Sequence, residues 1–197
     1  FEDLYLNDLI LNSDGENLNL IQPTSMIRSL VSHDFFNGLF GVLGTSGYEE
    51  NIDLYEYPYD WRLDIGTTGQ KLKEKIDEIK IQTGVQKVDL VAHSMGGLVA
   101  RAAMKLLGDE SKTLLDQVIL LGTPNFGSYA PALVLANDYS TVSWMEKLDF
   151  VSERTSLVKD VFASFVGLME MLPEPSNSDG LDLFKTDNYP SNSSFGR

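Results

Sequence analysis

The sequence has no cysteine among its 197 residues and only two histidines, His33 and His93. The missing thiols exclude disulfides, thiolate nucleophiles and Cys-ligated zinc or iron–sulfur sites. Two imidazoles leave little room for a His-built metal site. Basic residues are also scarce: 15 Lys and Arg stand against 29 Asp and Glu, giving a net charge of −14. Such a balance disfavours nucleic-acid binding and electrostatic docking on anionic lipid. No run of about 18 apolar residues is present, so no segment reads as a membrane-spanning helix. Internal repeats and low-complexity tracts are absent too. What is present is a globular composition, 43% hydrophobic and 22% charged. That suffices for one sizeable core and is too little for two ordinary domains. The sequence opens on Phe1 rather than Met and closes on a polar, uncapped Tyr189-Pro190-Ser191-Asn192-Ser193-Ser194-Phe195 stretch. We therefore expect a piece of a larger protein.

Along the chain the hydrophobic pattern alternates between strand and helix. Asp14-Gly15, between Leu9-Ile10-Leu11 and Leu18-Asn19-Leu20-Ile21, suits a hairpin or tight turn. A calcium loop at Asn12–Glu16 fails because Ile10 sits at the first ligand position. His33 to Leu43 reads as a helix, with Phe35, Phe36, Leu39, Phe40 and Leu43 on one broad face. Ile52, Leu54 and Glu56 alternate with Asp53 and Tyr55 as a strand. Residues 69–83 form an amphipathic helix through Leu72, Ile76 and Ile79, with Gly84 as its stop. Val88–Ala92 is a strand, 95–107 a helix ended by Gly108, and Gln117–Leu121 a second buried strand. This βαβαβ order implies a parallel sheet with helices on its faces. Residues 154–172 then read as one nearly all-apolar helix, ended by Pro173 and Pro175.

The chemistry centres on Ala92-His93-Ser94-Met95-Gly96-Gly97. The string leaves a strand and opens a helix, the context that a nucleophile elbow requires. Ser94 is the candidate nucleophile. Ala92 and Gly96, two residues to either side, are expected to be small because they approach each other. The helix N-terminus adds positive potential, and the Met95 N–H is a candidate oxyanion-hole donor. The bland alternative is a glycine-rich turn with an incidental serine. His93 is no base for Ser94, because adjacent strand residues point to opposite sides. His33 precedes the serine, whereas this architecture places acid and then His after it, so His33 reads as a solvated or helix-end residue. Serine without a base is a poor nucleophile. Tyr57-Pro58-Tyr59-Asp60-Trp61-Arg62 is an aromatic loop in which Asp60 and Arg62 can pair and Trp61 can pack, a structural anchor more than a reactive group. Leu121-Gly122-Thr123-Pro124-Asn125-Phe126-Gly127-Ser128 lies at the carboxyl end of a strand, where α/β sheets bind ligands.

Ser46-Gly47-Tyr48, Tyr59-Asp60-Trp61-Arg62, Leu90–Gly97 and Leu121–Ser128, in this order and spacing, resemble the lecithin:cholesterol acyltransferase family, including its microbial members. Phe162–Phe165 leading to Met171–Glu174 is similar to the segment before that family's active-site cap closes. The resemblance covers roughly residues 12 to 175. It implies an α/β-hydrolase fold and a serine acyl-enzyme mechanism on lipid or other acyl esters. On it, Ser94 matches the nucleophile and Met95 the first oxyanion donor, while Asp60, Trp61, Arg62, Thr123 and Pro124 fall near the substrate site. It further implies a partial hydrolase core over 1–128, lacking its first strands, and a cap or lid over 129–197. The catalytic acid and His are expected beyond the C-terminus. Within the cap, 154–172 is either a lid whose apolar face meets acyl chains or an ordinary buried helix, and 129–150, with Trp144 and Met145, is equally ambiguous.

Three functions compete. The first is a lipid-directed serine O-acyltransferase or lipase, with an acyl-ester donor and an alcohol or water as acceptor. Another α/β-hydrolase esterase, inositol-deacylase-like, is the second. A non-catalytic hydrolase-like domain is the third. Serine acyl transfer needs neither a metal nor an organic cofactor. Compartment is open, with lipid substrates tilting toward an exported or membrane-associated protein.

Overall fold

A computed structural model describes residues 9–17, 21–30, 33–136 and 157–177, together with 182, 183, 185 and 187. The chain first makes the expected tight turn. The Asn12 carboxamide oxygen accepts from the Asp14 and Glu16 amides, and Gly15 takes a φ of 75°. Leu18, Asn19 and Leu20 lie outside the described residues. Two short strands follow, β1 (Ser29–Leu30) and β2 (His33–Asp34), paired antiparallel. The helix expected from His33 begins later, as α1 (Asn37–Thr45). Asp34 fixes that start, because its carboxylate accepts from the Asn37 and Gly38 amides.

The strand expected at 52–56 does not form. Instead the Ile52, Asp53 and Leu54 amides all donate to the Glu49 carbonyl, and Asn51 adopts a φ of 62°. Apolar alternation makes a strand only when a partner edge is available, and here the backbone satisfies itself locally.

The central unit is contiguous in sequence. Helix α2 (Ile65–Thr83) starts four residues before the hydrophobic pattern suggests, because Asp64 caps it by accepting from the Thr67 amide at 2.5 Å. Gly84 ends it at φ 74°. Strand β3 (Val88–His93), helix α3 (Met95–Leu107), a one-turn helix α4 (Ser111–Leu114) and strand β4 (Leu115–Leu121) follow. β3 and β4 run parallel, with Val91 beside Ile119 and His93 beside Leu121. One extra residue between the Val88–Leu115 and Leu90–Val118 pairs is absorbed by Asp89, whose carboxylate accepts from the Gln117 amide. Helices α2 and α3 pack closely at Gly69, where a Cβ would stand 2.7 Å from the Ala102 Cβ.

Leu72, Ile76, Val99, Ala100, Ala103 and Leu115 form the core between these helices and one sheet face. Burying a side chain of this size contributes about 1.5–3 kcal/mol. Among the described residues, no helix of this unit covers the opposite face. Val91, Ile119 and Leu121 are 44%, 44% and 40% exposed. The expectation of a buried second strand is therefore corrected: α2 and α3 cover one side only.

Past β4, helix α5 (Ala130–Leu135) leads out of the central unit. Residues 137–156 lie outside the described set, and with them the sequence readings on Trp144 and Met145 and the first part of the helix expected at 154–172. The described part of that helix is broken into a π turn (Leu157–Val161), a 3₁₀ turn (Phe162–Ser164) and a single α turn, α6 (Val166–Met169). Two contacts explain the break. The Ser164 hydroxyl donates to the Val161 carbonyl and accepts from the Leu11 amide. Gly167 comes so close to the 61–63 backbone that a Cβ would sit 2.5 Å from the Trp61 carbonyl oxygen. The apolar residues that suggested a helix are nonetheless buried: Val158, Val161, Phe162, Phe165, Leu168 and Leu172 form a second cluster with Leu11, Val134 and Leu135.

Candidate active site

Ser94 stands at the junction of β3 and α3 with φ 52° and ψ −128°. A non-glycine residue holds that conformation only when its surroundings enforce it, at a cost of order 1–3 kcal/mol. The enforcement is visible. Its amide donates to the Leu121 carbonyl at 2.8 Å, tying the turn to the end of β4. Its carbonyl accepts from the Gly97 amide at 3.0 Å, closing the first turn of α3.

Sequence reasoning placed the steric demand on Gly96, and the structure moves it by one residue. A Cβ on Gly96 would find only the Tyr59 ring, with the hydroxyl at 3.6 Å. On Gly97 it would meet the Thr123 Oγ1 at 1.9 Å. The small residue is needed where the β4 exit loop crosses α3, not where the elbow flanks approach each other. Among the described residues Thr123 Oγ1 is buried there without a hydrogen-bond partner, and Gly122 beside it takes a φ of 62°.

A cavity of about 310 Å³ opens over Ser94. Of the residues that the sequence places near the site, Trp61, Ser94 and Pro124 line it and Thr123 does not. Gly122, Ser128, Ala130, Pro131, Val134, Phe162, Leu168 and Met171 complete the lining. The wall is thus mostly apolar, with hydroxyls at Ser94 and Ser128, which suits an apolar ligand held beside a few polar groups. The lining from 162–171 belongs to the 154–172 stretch, for which the sequence leaves open a lid over the site or an ordinary buried helix. Its signal was the run of large apolar residues, which carries no indication of what it faces.

Asp60 and Arg62 do not line the cavity. The Arg62 guanidinium grips both Asp60 carboxylate oxygens, at 2.8 and 2.5 Å, and donates to the Leu9 carbonyl at 2.7 Å. Its side chain is 4% exposed and that of Asp60 10%. This fork braces the loop that presents Trp61, whose ring meets Phe165 edge-on at 5.1 Å. The anchor reading of the Tyr59–Arg62 string describes this geometry. Tyr57 and Tyr59 stack behind it, their hydroxyls pushed up to about 12 chiefly by burial.

His93 turns to the opposite side of β3 from the core, exposed, and meets the Phe36 ring edge-on at 5.6 Å. No carboxylate or imidazole lines the cavity among the described residues. Met95 is buried, and its methyl group lies against Gly167, so the first residue of α3 supports the cavity wall. No group of His, Asp and Glu that could hold a metal occurs among the described residues, and no described helix is long and apolar enough to cross a membrane.

On the cavity's far side, Glu170 joins the wall to α2. Its carboxylate accepts from the Ile65 amide at 2.7 Å. Burial, then Asp64, pushes the Glu170 carboxyl up to about 7. The Asp64 carboxyl is held below its ordinary value, chiefly by the Thr67 amide.

Residues 24–195 match the family profile described as lecithin:cholesterol acyltransferase. Phospholipase A(1) LCAT3 of Arabidopsis thaliana is 28% identical over 80% of this chain and 36% of its own length. Lecithin-cholesterol acyltransferase-like 4 of the same plant is 30% identical over 69% of this chain and 26% of its own length. A triacylglycerol lipase of Pseudomonas fragi is 25% identical over 57% of this chain and 38% of its own length. The chain thus spans about a third of the length of these relatives. No solved structure matches it.

Proposed function

The chain belongs to the lecithin:cholesterol acyltransferase family, and from that premise we propose that it carries the nucleophile and acyl pocket of a lipid-directed serine acyltransferase or lipase built on an α/β-hydrolase fold. The observation that carries this reading is Ser94 itself, held at φ 52° between a strand and a helix and opening into an apolar cavity. In the proposed reaction the Ser94 Oγ attacks the carbonyl carbon of an acyl ester. Its proton passes to a base outside the described residues. The oxyanion is met by the Met95 N–H and the positive end of α3. The tetrahedral intermediate collapses, the alcohol leaves with a proton, and an acyl-enzyme remains for water or a second alcohol to take. In this reading residues 1–128 are hydrolase core and 129–197 cap. A catalytic acid and a His come from sequence after Arg197. Asp60 and Arg62 act on the site only through Trp61, whereas Pro124 lines the pocket and Thr123 packs behind it against Gly97. The relatives' names include a phospholipase and a triacylglycerol lipase, and an acyl ester of a glycerolipid suits the apolar wall.

The test is phosphonylation by a long-chain alkyl fluorophosphonate, with the modified residue located by mass spectrometry. In the longest chain that the coding sequence supplies, modification at Ser94 that is lost in Ser94→Ala is expected. No modification there would overturn the proposal. The 197-residue chain alone is expected to react weakly, and brisk modification would show that a base lies within it.

A further inference from the structure

Two serines line the apolar cavity, Ser94 and Ser128. Ser46, Ser111 and Ser164, elsewhere in the chain, each donate their hydroxyl proton to a backbone carbonyl three or four residues back, at 2.8, 2.7 and 2.7 Å. Ser128 does not. Its Oγ accepts from the Ala130 amide at 3.2 Å, and among the described residues it donates to no group. A hydroxyl carries one proton and two lone pairs. The Ala130 contact therefore fixes the oxygen and leaves the proton unspent. The residue is also held firmly. Its amide donates to the Met171 carbonyl at 2.7 Å. Gly127 before it, at φ 91°, lies so close to the chain at Pro173 that a Cβ would stand 2.4 Å from the Pro173 Cα. Pro131, three residues on, is fully buried. Met171 and Pro131 both line the cavity, so Ser128 is clamped between two parts of its wall.

We propose that Ser128 is a specificity-determining residue of the Ser94 site: its hydroxyl donates to a second oxygen of the bound ligand, a few bonds from the oxygen held at Ser94. The proposal takes its functional meaning from the acyl-transfer reading of Ser94, while the donor itself rests on the chemistry of the cavity. Among the described residues no charged side chain lines the wall, so a ligand's oxygens find few partners there. An apolar ligand strips water from the Ser128 hydroxyl and leaves its proton unpaired, which is costly; an ether, ester or hydroxyl oxygen at that point removes the cost. A site with such a donor discriminates against the analogue that lacks the matching oxygen. Thr123 does not compete for this role. Its Oγ1 is also without a partner among the described residues, but it is sealed against Gly97 and does not line the cavity. A plain alkyl ester uses Ser94 alone, whereas a ligand with a second oxygen uses both hydroxyls.

The test uses alcohols of one length, with 1-nonanol as the reference and a single ether oxygen in place of a methylene at successive positions. None carries an acyl group, so binding is read without turnover. Isothermal titration calorimetry gives dissociation constants for the parent, Ser128→Ala and Ser128→Thr. For at least one ether position, the ratio of the 1-nonanol constant to the ether constant is expected to fall about five-fold from parent to Ser128→Ala. The 1-nonanol constant itself is expected to stay within about two-fold. Ser128→Thr keeps a hydroxyl and is expected to keep most of the ratio. An equal loss for every alcohol in Ser128→Ala, which strands the Ala130 amide, would mean a merely structural role and overturns the proposal. So does an unchanged ratio at every position, a ratio lost as fully in Ser128→Thr as in Ser128→Ala, or a parent that binds none of the set. Fluorophosphonate modification of the same parent separates the two ideas. A reactive Ser94 with no ether preference overturns the role of Ser128 and leaves the acyl-transfer reading. An ether preference that depends on Ser128, beside a Ser94 that stays unreactive even in the longest chain the coding sequence supplies, does the reverse.

Discussion

Gly97→Ala places a methyl group where three atoms of Thr123 already stand, at 1.9, 2.6 and 2.7 Å. Ordinary contact needs 3.4 Å or more, so either the first turn of α3 or the 122–124 loop must retreat by more than an ångström. Neither is free. The Gly97 amide holds the Ser94 carbonyl, and the Ser94 amide holds the end of β4. Overpacking of this kind costs about 1–3 kcal/mol, and a buried site crossed by two backbones belongs at the upper end. Alanine returns about 1 kcal/mol through its higher helix propensity. The net loss is about 2 kcal/mol, a fall in melting temperature of about 4–8 °C for a chain of this size. Gly96→Ala is the control. It has the same propensity gain and no clash, because its nearest neighbour is at 3.6 Å. Its melting temperature is expected to hold or rise by about 2–4 °C. Combining Gly97→Ala with Thr123→Gly removes all three offending atoms, so the pair should be more stable than the sum of the singles by about 1 kcal/mol or more. Calorimetry on the four proteins closes the cycle. Additivity within about 0.5 kcal/mol, or a Gly97→Ala protein as stable as Gly96→Ala, would refute the reasoning.

Ser94→Gly should relieve the backbone cost at φ 52° and raise stability by about 1 kcal/mol while abolishing phosphonylation, the pattern of a residue kept against stability; denaturant unfolding that shows no gain would count against strain at that turn. Arg62→Ala strands the Asp60 carboxylate in a site only 10% open to solvent and takes the donor from the Leu9 carbonyl. It should cost about 3–5 kcal/mol, with Arg62→Lys in between because an ammonium cannot fork; a change under about 1 kcal/mol in urea unfolding would dismiss the brace. Burial raises Tyr57 and Tyr59 from 10.0 to about 12. Their folded values lie above the unfolded one, so the stability tied to them is intact below pH 10 and lost as pH climbs toward 12. Tyrosinate absorbance should show two late-titrating phenols that are missing in Tyr57→Phe/Tyr59→Phe.

Periodicity located α2, β3, α3 and β4 because each of these elements buries one face against the others, so the pattern in the chain is the pattern of the packing. Only their ends moved. α2 starts at its cap, Asp64, which is a hydrogen-bonding signal that hydrophobic spacing does not carry. Periodicity misled where burial had another cause. Ile52 and Leu54 alternate with polar neighbours yet sit in a turn that satisfies its own amides. The 157–172 stretch is buried on nearly all sides, so its apolar residues fit a helix equally well, while Ser164 and Gly167 break it through partners at Leu11 and Trp61 that lie far away in sequence. At the site, Trp61 and Pro124 stood out only as parts of motifs in other loops, while Ser94 was legible because strand–turn–helix geometry is local. Phe162, Leu168 and Met171 were not, because what a nonpolar side chain faces is decided by tertiary packing. Gly97 was overlooked for the same reason: its neighbour Thr123 comes from a different strand exit.

The two hydrophobic clusters have unequal topological costs. α2, β3, α3 and β4 occupy 65–121 without interruption, and their contacts close short loops. The second cluster gathers Leu11, Val134, Phe165 and Leu172, and one of its hydrogen bonds joins residues 153 positions apart. Loop closure of that length is paid in chain entropy before any contact rewards it. Assembly therefore has an order: the 65–121 unit condenses first, and the apolar wall over Ser94 arrives last. In stopped-flow measurements, truncating Ile76 or Val99 should slow folding, whereas truncating Phe165 should chiefly speed unfolding. The apolar pocket over Ser94 is thus expected to be the final part of the molecule to form during folding and the first to be lost on the way back.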